Sequence, residues 1–268
     1  MNIIKFLDDI SNKELLETKG SRRDSLNQIK NAGKKVALAS IPFAFAATNQ
    51  KTKAATMGMS FAANMADATD ILNFALTLEY LEEEFYQIGM DTMGLINGED
   101  ARAVFGLILR HENVHVDFLL KALGGNAITK PTFDFTAGGD FNPFGDYEQF
   151  LLLAQAFEDT GVRAYKGQAG ALIDNDALLE YALQIHSVEA RHASQIRRMR
   201  GQKGWITGNG EGSPNAVAAV YAGEGNTVQG GLELQNVLSQ YSYASLTEAF
   251  DEPLTMDEVN AIAGLFIV

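Results

Sequence analysis

The sequence predicts an all-α protein whose centre is a four-helix bundle with one long crossover between its second and third helices. Three observations predict it. Apolar residues recur at the 3–4 spacing of a helix over long stretches, and only 5 prolines interrupt 268 residues. Four of these stretches carry two copies of one pattern, a lone Glu followed at a distance by Glu-x-x-His. Between the copies lies one segment, 124–145, with no helical periodicity.

The first copy is Glu79, then Glu112-Asn113-Val114-His115; the second is Glu158, then Glu189-Ala190-Arg191-His192. The lone Glu precedes its partner Glu by 33 positions in the first copy (79 to 112) and by 31 in the second (158 to 189). A Tyr follows each lone Glu by seven positions (Tyr86, Tyr165), and a Gly follows each later Glu by twelve (Gly124, Gly201).

Taken in order, the chain opens on what reads as an export signal. Twin arginines in Ser21-Arg22-Arg23-Asp24-Ser25-Leu26-Asn27 precede Lys34-Lys35 and a mostly apolar run, Val36 to Ala47, of 12 residues. That length suits the core of a signal peptide and is too short to span a bilayer. Ala44-Phe45-Ala46 offers a small-x-small cleavage site. Twin arginines ahead of a weakly apolar core resemble a twin-arginine signal, although Ser25 and Asn27 depart from its usual residues. The plain alternative is an amphipathic helix with a chance Arg-Arg. Export to the periplasm, with residues 1–46 as the signal, is the expectation. Cleavage would remove eight Lys/Arg and five Asp/Glu, taking the net charge from −13 to −16. Residues 47–66 are small and polar, a lead-in. No later stretch reads as a membrane span.

Residues 67–200 hold the bundle. The first helix is expected from Asp67 to Met90, with apolar or aromatic residues at 72, 76, 86 and 90 and with Glu79 and Glu83 in the same 3–4 spacing. The second is expected from Glu99 to Leu123, stopped by Gly124-Gly125. Val104, Ile108, Glu112, His115, Leu119 and Leu123 share its inner face. The segment 124–145 is long for a loop inside a compact domain and reads as a crossover. A bundle with one such connection is ferritin-like. The third helix starts at Asp146, where Asp146-x-x-Gln149 resembles a capping box, and runs to about Ala171 with Leu151, Ala154, Glu158, Val162 and Tyr165 inward. The fourth runs from Asn175 or Asp176 to Arg200, with Leu178, Ile185, Glu189, His192 and Ile196 inward.

Residues 201–268 read as a loop-rich extension with C-terminal helices. Nine glycines and the only Trp, Trp205, fall within 201–231. Leu232 to Phe250 is a candidate for a further helix. Thr255-x-x-Glu258 is a capping box opening a short last helix, which ends in Leu265-Phe266-Ile267-Val268, an apolar end suited to packing on the bundle or on a second copy of the chain.

Side chains three positions apart on a helix stack on one face. Two helices with Glu-x-x-His can therefore present two bridging carboxylates and two terminal imidazoles to a pair of cations, while the lone Glu residues complete each coordination shell. The expected ligands are Glu79, Glu112, His115, Glu158, Glu189 and His192. Oxygen and imidazole donors suit two Fe or Mn ions, and Zn after them. With no Cys in the chain, thiolate ligands are excluded. Four carboxylates on apolar stripes are costly unless cations neutralise them. Without metal, His115 and His192 would be hydrogen-bonded core residues.

Glu79 stands beside Glu82, Glu83 and Glu84. Matching the halves by Tyr86 and Tyr165 pairs Glu79 with Glu158, which selects Glu79. It leaves Glu83, aligned with Val162, as an extra ligand or a solvated edge. Tyr86 and Tyr165 are candidates for hydrogen bonds to ligand carboxylates or for a part in redox chemistry; the plain alternative is a pair of core tyrosines. His186 and His111 read as structural. No catalytic residue is assigned. A net charge of −13 argues against a nucleic-acid partner.

The segments Leu78-Glu79-Tyr80-Leu81-Glu82 with Phe85-Tyr86, His111-Glu112 with His115-Val116-Asp117, and Glu248-Ala249-Phe250-Asp251-Glu252-Pro253-Leu254-Thr255 resemble the ferritin-like proteins related to plant desiccation-related protein, whose bacterial members are commonly exported. The resemblance covers about residues 65–268. It implies a ferritin-like fold and a di-iron or di-manganese site, without implying a reaction. Rubrerythrins are similar at the metal site but carry a second Glu on the third helix, where this chain has Asp159, Thr160, Gly161 and Val162, and often a Cys-rich electron-transfer domain. Cage-forming ferritins lack the second Glu-x-x-His. Manganese catalases are similar in ligand types.

Two functions follow as expectations. One is an exported metalloprotein doing redox chemistry on O2 or H2O2, as an oxidase, ferroxidase or catalase, able to form a homo-oligomer. The other is a non-catalytic protein of stress or desiccation with a structural metal pair.

Overall fold

The computed structural model describes residues 68–210 and 213–268. The expected signal and lead-in, 1–66, lie outside the described residues. Four long helices carry the fold: α1 (Ala68–Asp91), α2 (Glu99–Leu123), α3 (Tyr147–Gln168) and α4 (Asp176–Met199). They begin and end within a few residues of the expected bounds, α2 at the expected ones. Local chemistry explains this. The Asp146 side chain accepts from the N–H groups of Glu148 and Gln149 and caps α3, and Asn175 caps α4 through Leu178 N–H. Gly124, at φ 55°, ends α2 in a conformation that disfavours other residues.

α1 packs on α2, α3 on α4, and α1 on α3. The crossover fills one end of the bundle with aromatic rings. Phe135 and Phe144 pack against Phe85, which stacks on Phe150 of α3 at 4.8 Å. Among the described residues no helix is long and apolar enough to cross a membrane.

α3 is buried on every side from Phe150 to Tyr165. The extension covers the side that the other helices leave bare. A 3-10 turn (Asn215–Tyr221) lies on α3, and so does the last helix, Met256–Ala263. The fully buried Arg163 of α3 ties this layer down. Its guanidinium pairs with Glu224 at 2.9 Å and donates to the carbonyls of Val220, Ala222 and Glu252. Arg197 of α4 is buried and pairs with Asp159 of α3, which also accepts from Tyr221 Oη at 2.8 Å.

The stretch Leu232 to Phe250 is not one helix. It holds β2 (Leu232–Glu233), α5 (Leu234–Val237) and α6 (Tyr243–Thr247). β2 pairs antiparallel with β1 (Val228–Gln229) across Gly230-Gly231, both at positive φ, as a two-residue hairpin turn demands. Glu233 and Ser242 each cap a new helix, which interrupts a single run. The Thr255–Glu258 capping box forms and opens α7 (Met256–Ala263). Beyond it, Phe266 is buried against Phe157 and Phe141, and the backbone of Phe266 and Val268 bonds to Asp134 and Thr132 of the crossover. The apolar end thus packs on the bundle, leaving Leu265 and Val268 exposed.

Candidate metal centre

All six expected residues meet in the middle of the bundle. Glu79, Glu112, Glu158 and Glu189 are 0% exposed; His115 is 8% and His192 5% exposed. Each comes from the inner stripe of its own helix, so ordinary amphipathic packing of α1 to α4 turns them toward one another.

The cluster divides into two overlapping groups. Glu79, Glu112, His115 and Glu189 each offer a ligand atom within 4.8 Å of the others; so do Glu112, Glu158, Glu189 and His192. Glu112 and Glu189, from the two Glu-x-x-His motifs, belong to both. His115 Nδ1 lies 2.9 Å from Glu112 Oε2, 3.1 Å from Glu79 Oε2 and 3.3 Å from Glu189 Oε1. His192 Nδ1 lies 3.0 Å from Glu112 Oε1 and 3.2 Å from Glu158 Oε2. The two oxygens of Glu112 therefore face different imidazoles, one in each group.

The outer oxygens are held from behind. Tyr86 Oη donates to Glu158 Oε1 at 2.6 Å, and Tyr165 Oη donates to Glu79 Oε1. Burial, and then the adjacent carboxylate, pushes both tyrosine hydroxyls well above their ordinary range, so they remain proton donors. The two Tyr–Glu bonds cross between α1 and α3, each Tyr serving the lone Glu of the other half.

Toward the centre, satisfaction fails. Glu112 Oε1, Glu158 Oε2, both oxygens of Glu189 and His192 Nδ1 have no hydrogen-bond partner of acceptable geometry. Five buried polar atoms without partners in one place are costly. Burial opposes charge on the imidazoles, but the surrounding carboxylates overcome it and hold both His115 and His192 at about 10. Burial, then Glu112 and Glu158, pushes the Glu189 carboxyl well above the carboxylate range. Without cations the cluster must hold protons instead. Oxygen and imidazole donors, with orphaned atoms aimed inward, fit hard or borderline divalent ions.

Two residues near the cluster escaped the sequence reading. Glu82, not Glu83, turns inward: it is 2% exposed, and burial with the charges of Glu158, Glu112 and Glu79 pushes its carboxyl well above the usual range. Glu83 is half-buried and pairs with Lys130 at 2.9 Å, so the extra-ligand reading of Glu83 is corrected. Spacings of three and four from Glu79 both suit a helical stripe, and sequence alone could not choose between them. His111, read as structural, has its Nδ1 2.8 Å from His192 Nε2, and the two rings stack. Burial and His192 lower its pKa. His186 bonds the Val162 carbonyl at 2.9 Å, as a structural residue would.

A small cavity of about 30 Å³ adjoins Tyr165, walled by apolar side chains including Ala75, Leu78, Leu119 and Ile185. A family model described as a ferritin-like domain matches residues 67–202, which is half of the chain and spans the four helices. No curated protein matches the chain.

Proposed function

We propose, since this chain belongs to the ferritin-like domain family, that its buried cluster holds two Fe or Mn ions and performs redox chemistry on O2 or H2O2. The observation that carries the reading is the sharing of Glu112 and Glu189 between two ligand groups, which suits a pair of ions bridged by carboxylates. Glu79 with His115, and Glu158 with His192, would complete the two ends. Such a pair would supply two electrons, one from each divalent ion, to a small oxidant.

The chain's own residues do the rest. Tyr86 and Tyr165 fix the orientation of Glu158 and Glu79 and keep a proton beside each. His111 backs His192. Beside Tyr165 the packing leaves an apolar cavity of about 30 Å³, lined by none of the six candidate ligands. Export by the twin-arginine route and kinship with the desiccation-related proteins belong to the same proposal. The full burial of the four central carboxylates favours the second reading, a structural metal pair in a stress-associated protein.

One experiment separates them. The protein is isolated from the periplasmic fraction of its host, its metals are determined, and its consumption of O2 and H2O2 is followed with Fe(II) or Mn(II) loaded. Two metals per chain with turnover is the expected result, on a chain lacking residues 1–46. Two tightly held metals without turnover would leave the structural reading, and a metal-free protein would end both.

A further inference from the structure

The two halves of the bundle are not alike beside the cluster. Three residues beyond each lone Glu, α1 has Glu82 and α3 has Gly161. A Cβ at position 161 would stand 3.3 Å from Glu189 Oε2 and 3.4 Å from Glu82 Oε1, closer than side chains ordinarily pack. Carboxylate oxygens from α1 and α4 thus flank the spot that any side chain at 161 would occupy. Glycine at this helical position costs roughly 1 kcal/mol against alanine, a cost that its location explains.

Both oxygens of Glu189 are buried and lack hydrogen-bond partners. The cationic neighbour on the outer face of α1 is engaged elsewhere: Lys130 pairs with Glu83 and Glu84. Two divalent ions balance Glu79, Glu112, Glu158 and Glu189, and Glu82 brings a fifth carboxyl into the same closed space. Buried carboxyls persist there only when a proton or a cation compensates them. Glu189 Oε2, which is unpartnered, and Glu82 Oε1 face the same spot beside Gly161, although Glu82 belongs to neither of the two ligand groups described above.

We propose that Glu82 is a seventh ligand of the metal pair, delivered from α1 into the gap that Gly161 leaves beside Glu189. The inference rests on the reading that the cluster holds two metals. It makes the site asymmetric: the ion nearer Glu82 and Glu189 has one carboxylate more than pseudo-symmetry would give it. That extra donor favours a harder or more highly charged ion at that end.

The test is a titration of the metal-free chain with Co(II), followed by calorimetry and by the visible d–d bands. Wild type should bind two Co(II) per chain. Glu82→Gln should weaken at least one Co(II) by about tenfold or more and change the bands, because a lost carboxylate lowers the coordination number. Gly161→Ala should shift both readouts in the same direction, since its Cβ presses on Glu189 Oε2 and fills the space beside Glu82 Oε1. Glu83→Gln should change neither. Far-UV circular dichroism of the metal-free variants checks that the helices persist. Should Glu82→Gln not fold, Glu82→Asp, which keeps the charge and withdraws it by one methylene, carries the same comparison. Unchanged affinity and bands in a folded Glu82 variant would overturn the seventh ligand and leave the metal pair standing. A wild-type chain that binds no Co(II) would overturn both.

Discussion

Tyr86 and Tyr165 divide the work of two carboxylates. Glu158 gives Oε1 to Tyr86 and keeps Oε2 for His192; Glu79 gives Oε1 to Tyr165 and keeps Oε2 for His115. Each hydroxyl thereby fixes which oxygen faces the centre. Outer partners of this kind orient a ligand and usually carry a tenfold to hundredfold share of metal affinity. Tyr86→Phe and Tyr165→Phe should each weaken Mn(II) binding by about tenfold. Each should also lower the stability of the metal-free chain by about 1–3 kcal/mol, because a buried carboxylate oxygen loses its donor. Calorimetric titration and urea unfolding measure the two effects. Phe variants that bind Mn(II) as tightly as wild type would show that packing alone sets the carboxylates.

Among the elements, α3 explains the extension. Its sequence Phe150-Leu151-Leu152-Leu153-Ala154-Gln155-Ala156-Phe157 is apolar almost all round, and a helix of that kind needs cover on every face. α1 and α4 supply part of it; the turn at Asn215–Tyr221 and α7 supply the rest. The closest approach falls at Gly167, where any Cβ would run into the Leu254 carbonyl. Gly167→Ala should therefore push the extension outward and cost about 1–3 kcal/mol, read as a lower urea midpoint. Gly125→Ala, with open space around it, is the control and should leave the midpoint nearly unchanged. Equal midpoints would mean that the extension rests on α3 without pressing on it. This contrast also shows what the sequence made legible. Helix bounds and the meeting of Glu79, Glu112, His115, Glu158, Glu189 and His192 follow from local spacing, caps and glycine stops. The breaks within 232–250 come from the caps at Glu233 and Ser242, which compete with one continuous helix; the inward turn of Glu82 depends on what packs opposite, and position 82 becomes readable only once Gly161 is seen across from it.

At the scale of the whole molecule, the cluster couples stability to pH and metal in opposite senses. His115 and His192 sit at about 10 in the fold, against 6.5 for an ordinary imidazole. Between those two values the folded chain binds more protons than the unfolded one, so the stability they contribute is complete below pH 6.5 and is lost as pH rises toward 10. Glu82 and Glu189, also raised, act in the same direction from a lower pH. The metal-free protein should accordingly lose stability as pH rises from about 6 to about 9. Because these groups share neighbours, the loss amounts to a few kcal/mol, on the order of a shift or two in pKa rather than the sum of all of them. Metal reverses the trend. Cations compete with the same protons for the same atoms, so affinity grows with pH and the stabilisation by saturating metal grows with it. Thermal unfolding at pH 6, 7.5 and 9, with chelator and with excess Mn(II), should give Tm values that fall with pH in the first series and diverge upward from it in the second. A chelated protein whose Tm climbs across this range would mean that the two imidazoles are neutral in the fold. The balance of charge proposed for the cluster would then be wrong at its root.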